Sequence, residues 1–249
     1  MCTVIVLRRP QNRWPLLLAA NRDEMRDRPW DPPARHWPER PGTVAGRDQL
    51  AGGTWLGLND MGVVAGILNR RHSLGPAPGM ASRGELPLAA LDGGDAAQGV
   101  ENVRAKVAAA PYRPFNMVIA DNAQGFWVRH TGDGDAEAFL LPDGLSMITS
   151  RELDDPNSPR IARYRPHFET AAAPDPDAGD WASWTTLLAE PGYDPEAGPD
   201  GAMNVDLNGV FGTVASSLVA LPAGESAASP VFAFAPGKPG ERGYSPLAL

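Results

Sequence analysis

The residues with the clearest capacity for chemistry stand at the start of the chain. It opens MCTVIVLRRP, and Cys2 is its only cysteine. Further on, Asn21-Arg22-Asp23-Glu24 sets an amide, a cation and two carboxylates side by side. A cysteine is small enough as a second residue for removal of Met1 to be expected, which exposes the Cys2 α-amine. An α-amine has an intrinsic pKa of about 7.7–8.0, far below that of lysine, so it can take the thiol proton near neutrality. Nucleophile and base then belong to one residue. Asp23 can orient the amine, and the neighbouring cation Arg22 favours the thiolate. The reaction class that follows is acyl transfer to sulfur, then hydrolysis of the thioester.

For this chemistry the chain must return Asn21-Arg22-Asp23-Glu24 to Cys2. The β-branched run TVIVL (3–7) predicts a buried strand, and PLLLAA (15–20) predicts its antiparallel partner. A hairpin centred near Gln11-Asn12 sets Cys2 opposite Asn21, across the ~4.8 Å that separates neighbouring strands. Asn21 thereby becomes a candidate substrate contact. The proline-broken stretch 21–33 reads as irregular. A second hairpin joins 54–58 to 63–69 through Asn59-Asp60-Met61-Gly62. Ser82 reads as the N-cap of a helix over 84–91, with Glu85 completing a capping box. Val100, Val103 and Val107 recur at helical spacing within 95–109. Four strands are predicted over 115–149. A helix follows from Asn157 to 172, with Pro166 as a kink or break, and another over 180–190 with Asp180 as N-cap. Strands at 210–221 and 231–235 close the chain, and 76–79, 171–180 and 191–201 read as loops. Antiparallel runs of strands with helices in two separate groups predict an α+β fold of layered antiparallel sheets.

The bulk properties narrow the function. The chain has 249 residues, of which 43% are hydrophobic, and a formal net charge of −8. One domain over 1–249 is the preferred reading. The acidic balance argues against a nucleic-acid partner, whose phosphates call for Lys and Arg. A single cysteine excludes an internal disulfide framework and a multi-thiolate metal site. The four histidines, His36, His72, His130 and His167, lack ligand spacing, and GDGD (132–135) reads as a turn. Neither a metal nor any other cofactor is expected, and a small molecule is the expected partner. No apolar run approaches the ~18 residues that span a bilayer, and TVIVL is too short for a signal-peptide core. A cytoplasmic location is therefore expected.

Several segments carry a resemblance. MCTVIV, AANRDE, RPW, GRDQLAGGTWLGLNDMGVVAGILNRR and SRGEL resemble the NRDE family, also called the transport and Golgi organisation protein 2 family, over most of the first 86 residues. ITSRELDD (148–155) and FGTVASSLVAL (211–221) match more weakly. The family's start is similar to the choloylglycine hydrolases and penicillin V acylases. Those are N-terminal-nucleophile amidases with a four-layer αββα sandwich fold and two antiparallel sheets. The resemblance implies that fold here, with Cys2 as nucleophile, Asp23 at the family's aspartate and Asn69 at an oxyanion-hole asparagine. It also marks departures. Ala20 stands where the amidases carry an arginine, Ser150 where they carry a second oxyanion asparagine, and Val214 and Ala215 where a late arginine is expected. Loss of one oxyanion donor typically costs about 10²–10³ in rate.

Two functions stay open at this stage. One is a cysteine hydrolase acting on a carbon–nitrogen or related acyl bond of a small molecule. The other is a non-catalytic carrier of an acyl, lipid or haem ligand, which the resemblance suggests through the family's association with trafficking and haem or lipid homeostasis. Individual residues also keep plain structural readings. Trp55, after Gly52-Gly53, is either core or a wall of the substrate site. Asn69 is either an oxyanion donor or the cap of a strand. Asp23 and Glu24 are either site residues or ion-pair partners of Arg22 and Arg26.

Overall fold

The computed structural model describes residues 2–75 and 77–249. In chain order, strands β1 (Thr3–Arg8), β2 (Leu16–Met25), β3 (Trp30–Ala34), β4 (Thr43–Asp48), β5 (Leu56–Asn59) and β6 (Val64–Asn69) precede helices α1 (Glu85–Leu91) and α2 (Ala96–Ala109). Strands β7 (Phe115–Ala120), β8 (Gly125–His130), β9 (Glu137–Leu140) and β10 (Gly144–Ile148) come next, then helices α3 (Pro159–Thr170) and α4 (Ala182–Leu188). Strands β11 (Asp206–Leu207), β12 (Phe211–Leu221), β13 (Val231–Pro236) and β14 (Ser245–Pro246) complete the order. The chain divides into two compact units, 1–28 with 142–248, and 29–141 with 249.

The first unit is built on a sheet of order β10-β1-β2-β12-β13-β14, with β11 on the edge of β12. Ile5, Leu17, Ala19, Leu218 and Ala220 present one face of it to Ile161, Tyr164 and Phe168 of α3 and to Trp184 and Leu188 of α4. Residues on a strand alternate between faces. Val4, Val6, Leu16, Leu18 and Val219 therefore point the other way, and they are buried too. A strand buried on both faces reads as an unbroken apolar run, which is why TVIVL and PLLLAA show no alternation.

The second unit carries a sheet of order β3-β4-β5-β6-β7-β8-β9. Helices α1 and α2 pack on it through Leu86, Ala90, Val100, Val103 and Val107, against Ala65, Met117, Ile119 and Val128. The α2 N-terminus is closed by Asp95, whose side chain accepts from the Gln98 N–H at 2.8 Å. Asp95→Ala is expected to lower stability by about 1 kcal/mol, readable as a small drop in urea midpoint with an unchanged slope.

The structure corrects several sequence expectations. The hairpin between β1 and β2 is one residue out of the expected register: Thr3, not Cys2, pairs with Asn21. The loop is centred on Asn12 itself. The Arg9 N–H donates to the Pro15 carbonyl at 2.7 Å, and Asn12 Oδ1 accepts from the Trp14 N–H at 3.0 Å. The stretch 21–33 is irregular only over 26–29. Asn21 to Met25 stay in β2 because β12 pairs with them throughout, with one irregularity between Thr213 and Ala215. Pro32 and Pro33 lie in β3, an edge strand whose register slips between Asp31 and Ala34; an edge tolerates the missing N–H groups. Helix α1 begins after Gly84 and not at Ser82, and α4 begins after Trp181 and not at Asp180. Both expected caps accept a main-chain N–H locally instead, Ser82 from Gly84 and Asp180 from Ala182. Helix α3 runs through Pro166 without a break. Strands β3, β4, β11 and β14 add to the strands that the sequence predicts. Of the expected loop 76–79, residue 76 lies outside the described residues.

Candidate active site

The register of the first sheet gathers the chemistry-bearing residues of the first unit at one end. Ile148 pairs with Val4, Thr3 with Asn21, and Thr213 and Ala215 with Asp23 and Arg22. The end of β10, the start of β1, the second half of β2 and the start of β12 thus lie side by side. Cys2, Asn21, Arg22 and Asp23 are all brought there. Ser150, buried, follows two residues after Ile148.

The one-residue register shift decides which face each side chain takes. Thr3, Asn21 and Asp23 share the face that carries α3 and α4, and Cys2 falls on the other face with Arg22. The Cys2 thiol is partly buried and donates to the main-chain oxygen of Asp23 at 3.6 Å. Burial pushes this thiol above its ordinary pKa, and the Asp23 carboxylate adds to the rise, while Arg22 pulls in the opposite direction. At neutral pH the thiol therefore holds its proton, and thiolate chemistry at this position requires a base.

Asp23 is held from both sides. Its Oδ1 accepts from the Thr213 hydroxyl at 2.7 Å. Its Oδ2 accepts from Arg160 Nη1 at 3.2 Å, in an ion pair whose side chains are 4% and 0% exposed. The same Nη1 donates to Thr3 Oγ1 at 2.6 Å, and Nη2 to the Asp200 carbonyl at 2.6 Å. Arg22, expected as the cation of the site, lies 3.7 Å from Glu24, and Glu24 also lies 3.8 Å from Arg28.

Asn21, expected to touch substrate, does other work. Its Nδ2 donates to the Leu188 carbonyl at 2.9 Å and the Met203 carbonyl at 3.0 Å. It is buried on the helix-bearing face and ties β2 to the end of α4, away from the face of Cys2.

Sequence reasoning missed Arg160, Thr213 and Thr3. For Arg160 a signal was present. It is the second residue of α3, after the Ser158 cap and Pro159. A cation in the first turn opposes the helix dipole, so an arginine there needs a partner elsewhere. Thr213, within FGTVASSLVAL, gives no comparable sign.

In the second unit, Asn69 ends β6 and pairs with Phe115. It is partly buried, and its side chain makes no hydrogen bond among the described residues. The Trp55 carbonyl accepts from the Ile67 N–H at 2.9 Å, which puts Trp55 at the same end of that sheet. The Trp55 ring is partly buried and meets Trp30 edge to face, with centroids 5.8 Å apart. It lies so close over β4 that a Cβ on Gly46 would stand 2.2 Å from it. Gly46→Ala is expected to displace the ring at a cost of about 1–3 kcal/mol, visible as a lowered melting temperature and a changed near-ultraviolet circular dichroism spectrum.

Among the described residues, no three His, Cys, Asp or Glu side chains converge as a metal would require. None of the described helices is long and apolar enough to cross a membrane.

The family description "Transport and Golgi organisation 2" matches residues 1–186. The chain belongs to this family. A curated family relative, the mouse transport and Golgi organization 2 homolog, is 30% identical over 153 residues, 59% of this chain and 54% of the mouse protein. The chain thus spans about half the length of the curated relative it matches. Two solved structures show the fold of this family member. Penicillin V acylase from Agrobacterium tumefaciens superposes with a TM-score of 0.50 at 14% identity, covering 94% of this chain and 83% of the acylase. An arginine-to-leucine variant of conjugated bile acid hydrolase from Clostridium perfringens gives 0.51 at 10% identity, covering 94% and 89%. The fold is therefore the α+β sandwich of the N-terminal-nucleophile hydrolases, with two antiparallel sheets, as the sequence resemblance implied.

Proposed function

We propose that the chain, once Met1 is removed, is an N-terminal cysteine hydrolase that cleaves a carbon–nitrogen or related acyl bond of a small molecule. Met1 itself lies outside the described residues. The observation that carries the reading is the contact of Cys2 Sγ with the main-chain oxygen of Asp23, a residue whose carboxylate is fixed on the other face by Arg160 and Thr213. In this reading the freed α-amine accepts the thiol proton, with Asp23 orienting it. The thiolate adds to the substrate carbonyl carbon, and the Ser150 hydroxyl is the donor proposed for the resulting oxyanion. Collapse of the adduct breaks the carbon–nitrogen bond. The leaving amine takes the proton held by the α-amine, and a thioester remains. Water then adds to the thioester carbonyl, giving a proton to the α-amine, which returns it to sulfur as the acid departs. Arg22 lies on the face of the thiol and supports the thiolate. That residues 1–249 act as one domain is part of the same reading.

Support for it comes from the fold, the thiol at position 2, and the family membership. The penicillin V acylase and bile acid hydrolase likenesses suggest a small-molecule amide as the substrate class. One observation favours a second reading, a non-catalytic carrier: the stretch Gly212–Ser217 places Val214 and Ala215 beside Arg22 and offers no late arginine.

Intact mass and alkylation separate the two. The hydrolase reading expects loss of the Met1 mass and a Cys2 that reacts with iodoacetamide faster than free cysteine at pH 7. It also expects turnover of an N-acyl amide or a thioester. A retained Met1, or a thiol no faster than free cysteine, removes the mechanism and leaves the carrier.

A further inference from the structure

Arg160 is the least expected member of the site. Its guanidinium is almost completely buried at the start of a helix whose dipole disfavours it. It is joined there to three separate parts of the first unit: Thr3 of β1, Asp23 of β2 and the Asp200 carbonyl that follows α4. Its Nη1 sits between the Thr3 hydroxyl and one carboxylate oxygen of Asp23. Thr213 holds the other oxygen. With a donor on each oxygen, the plane of the carboxylate is fixed relative to the β2 main chain. That same main chain presents the Asp23 carbonyl to Cys2 Sγ. Ala20, where the resemblance led one to expect an arginine, is a buried apolar residue on the face of Arg22.

We propose that Arg160 is the positioning residue of the site: it fixes the orientation of the Asp23 carboxylate beside the start of β1, so that Asp23 can align the α-amine of Cys2. Arg160 does not touch the thiol. It acts through Asp23, from a helix far along the chain. This assignment rests on the cysteine-hydrolase reading and adds to it a cation that the resemblance does not supply.

The experiment uses the full chain with Met1 removed and reads the rate of Cys2 alkylation by iodoacetamide at pH 7. Four proteins are compared: wild type, Arg160→Lys, Arg160→Gln and Arg160→Ala. Arg160→Gln keeps a long polar side chain but no charge, and its rate is expected to fall by about 10-fold or more as Asp23 loses its fixed orientation. Arg160→Lys returns a cation to Asp23 but cannot hold Thr3 and the Asp200 carbonyl as well. It is expected to stay within about threefold of wild type, because alignment of the base, and not the scaffold contacts, sets the rate. Added guanidinium should raise the rate of Arg160→Ala in a saturable way. A purely structural arginine predicts a different pattern: Lys and Gln variants equally affected and no rescue by guanidinium. That pattern, or an Arg160→Gln protein that alkylates at the wild-type rate, overturns the role of Arg160 and leaves the hydrolase reading standing. If Arg160→Ala does not fold, the contrast between the Lys and Gln variants decides. A wild-type chain no more reactive than free cysteine overturns the hydrolase reading, and the role of Arg160 with it.

Discussion

Replacing Cys2 by alanine in the processed chain is expected to abolish turnover, a fall on the order of 10⁶-fold if Cys2 is the nucleophile. The size follows from the chemistry. No other cysteine exists to take over, and the proposed base sits on the residue being changed. The α-amine survives in the variant but has no thiol to deprotonate. The side chain removed is small and partly buried, so folding is expected to be nearly unaffected. Substrate affinity should therefore persist while kcat disappears, and trapping of substrate by the variant, followed by mass spectrometry or calorimetry, reads this directly. Cys2→Ser should retain only a trace of activity, because a hydroxyl is far harder to ionise than a thiol and burial penalises the anion further. Undiminished turnover by Cys2→Ala would end the hydrolase reading. Undiminished binding with no turnover in either protein would establish the carrier.

The second large effect concerns stability. Asp23→Ala removes the carboxylate that faces Arg160 in an ion pair almost without solvent exposure. A buried charge deprived of its partner is expected to cost about 3–5 kcal/mol, or roughly 10 °C in melting temperature for a chain of this size. Thr213→Val removes only a neutral hydroxyl from the carboxylate and should cost about 1–2 kcal/mol. The contrast that tests the cause is a double variant. Replacing the pair together, Asp23→Leu with Arg160→Met, leaves no buried charge and should recover much of the loss. A thermal or urea denaturation series over the singles and the double gives the coupling. Additive effects would mean that the two residues do not depend on each other, against the 3.2 Å contact.

Both results bear on the same end of one sheet, and its parts were unequally legible in the chain. The apolar runs TVIVL and PLLLAA announced two buried strands, and strands β7 to β10 and helix α2 followed from pattern. Those signals are local: β-branched runs and valines at helical spacing. Cys2, Asn21-Arg22-Asp23-Glu24 and the likeness of the first 86 residues to a known family were also open to reading, since residue identity and order carry them. The α+β class with antiparallel sheets followed from the order of elements.

Tertiary structure alone decided the rest. Prolines at 32 and 33 argued against a strand, yet β3 forms because it lies at a sheet edge, a position that no local pattern reveals. The hairpin register differed by one residue, and with a side-chain period of two that single step exchanged the faces of Cys2 and Thr3. Asn21 was thereby moved from the expected substrate side to a tie with α4. The cation on Asp23 proved to be Arg160, separated by most of the chain and joined only when α3 packs on β1 and β2. The sequence by itself determined which groups were available for chemistry. Which of them meet was settled by register and packing, because a hydrogen bond depends on angstroms and on the face of a strand, and neither is written in the order of residues.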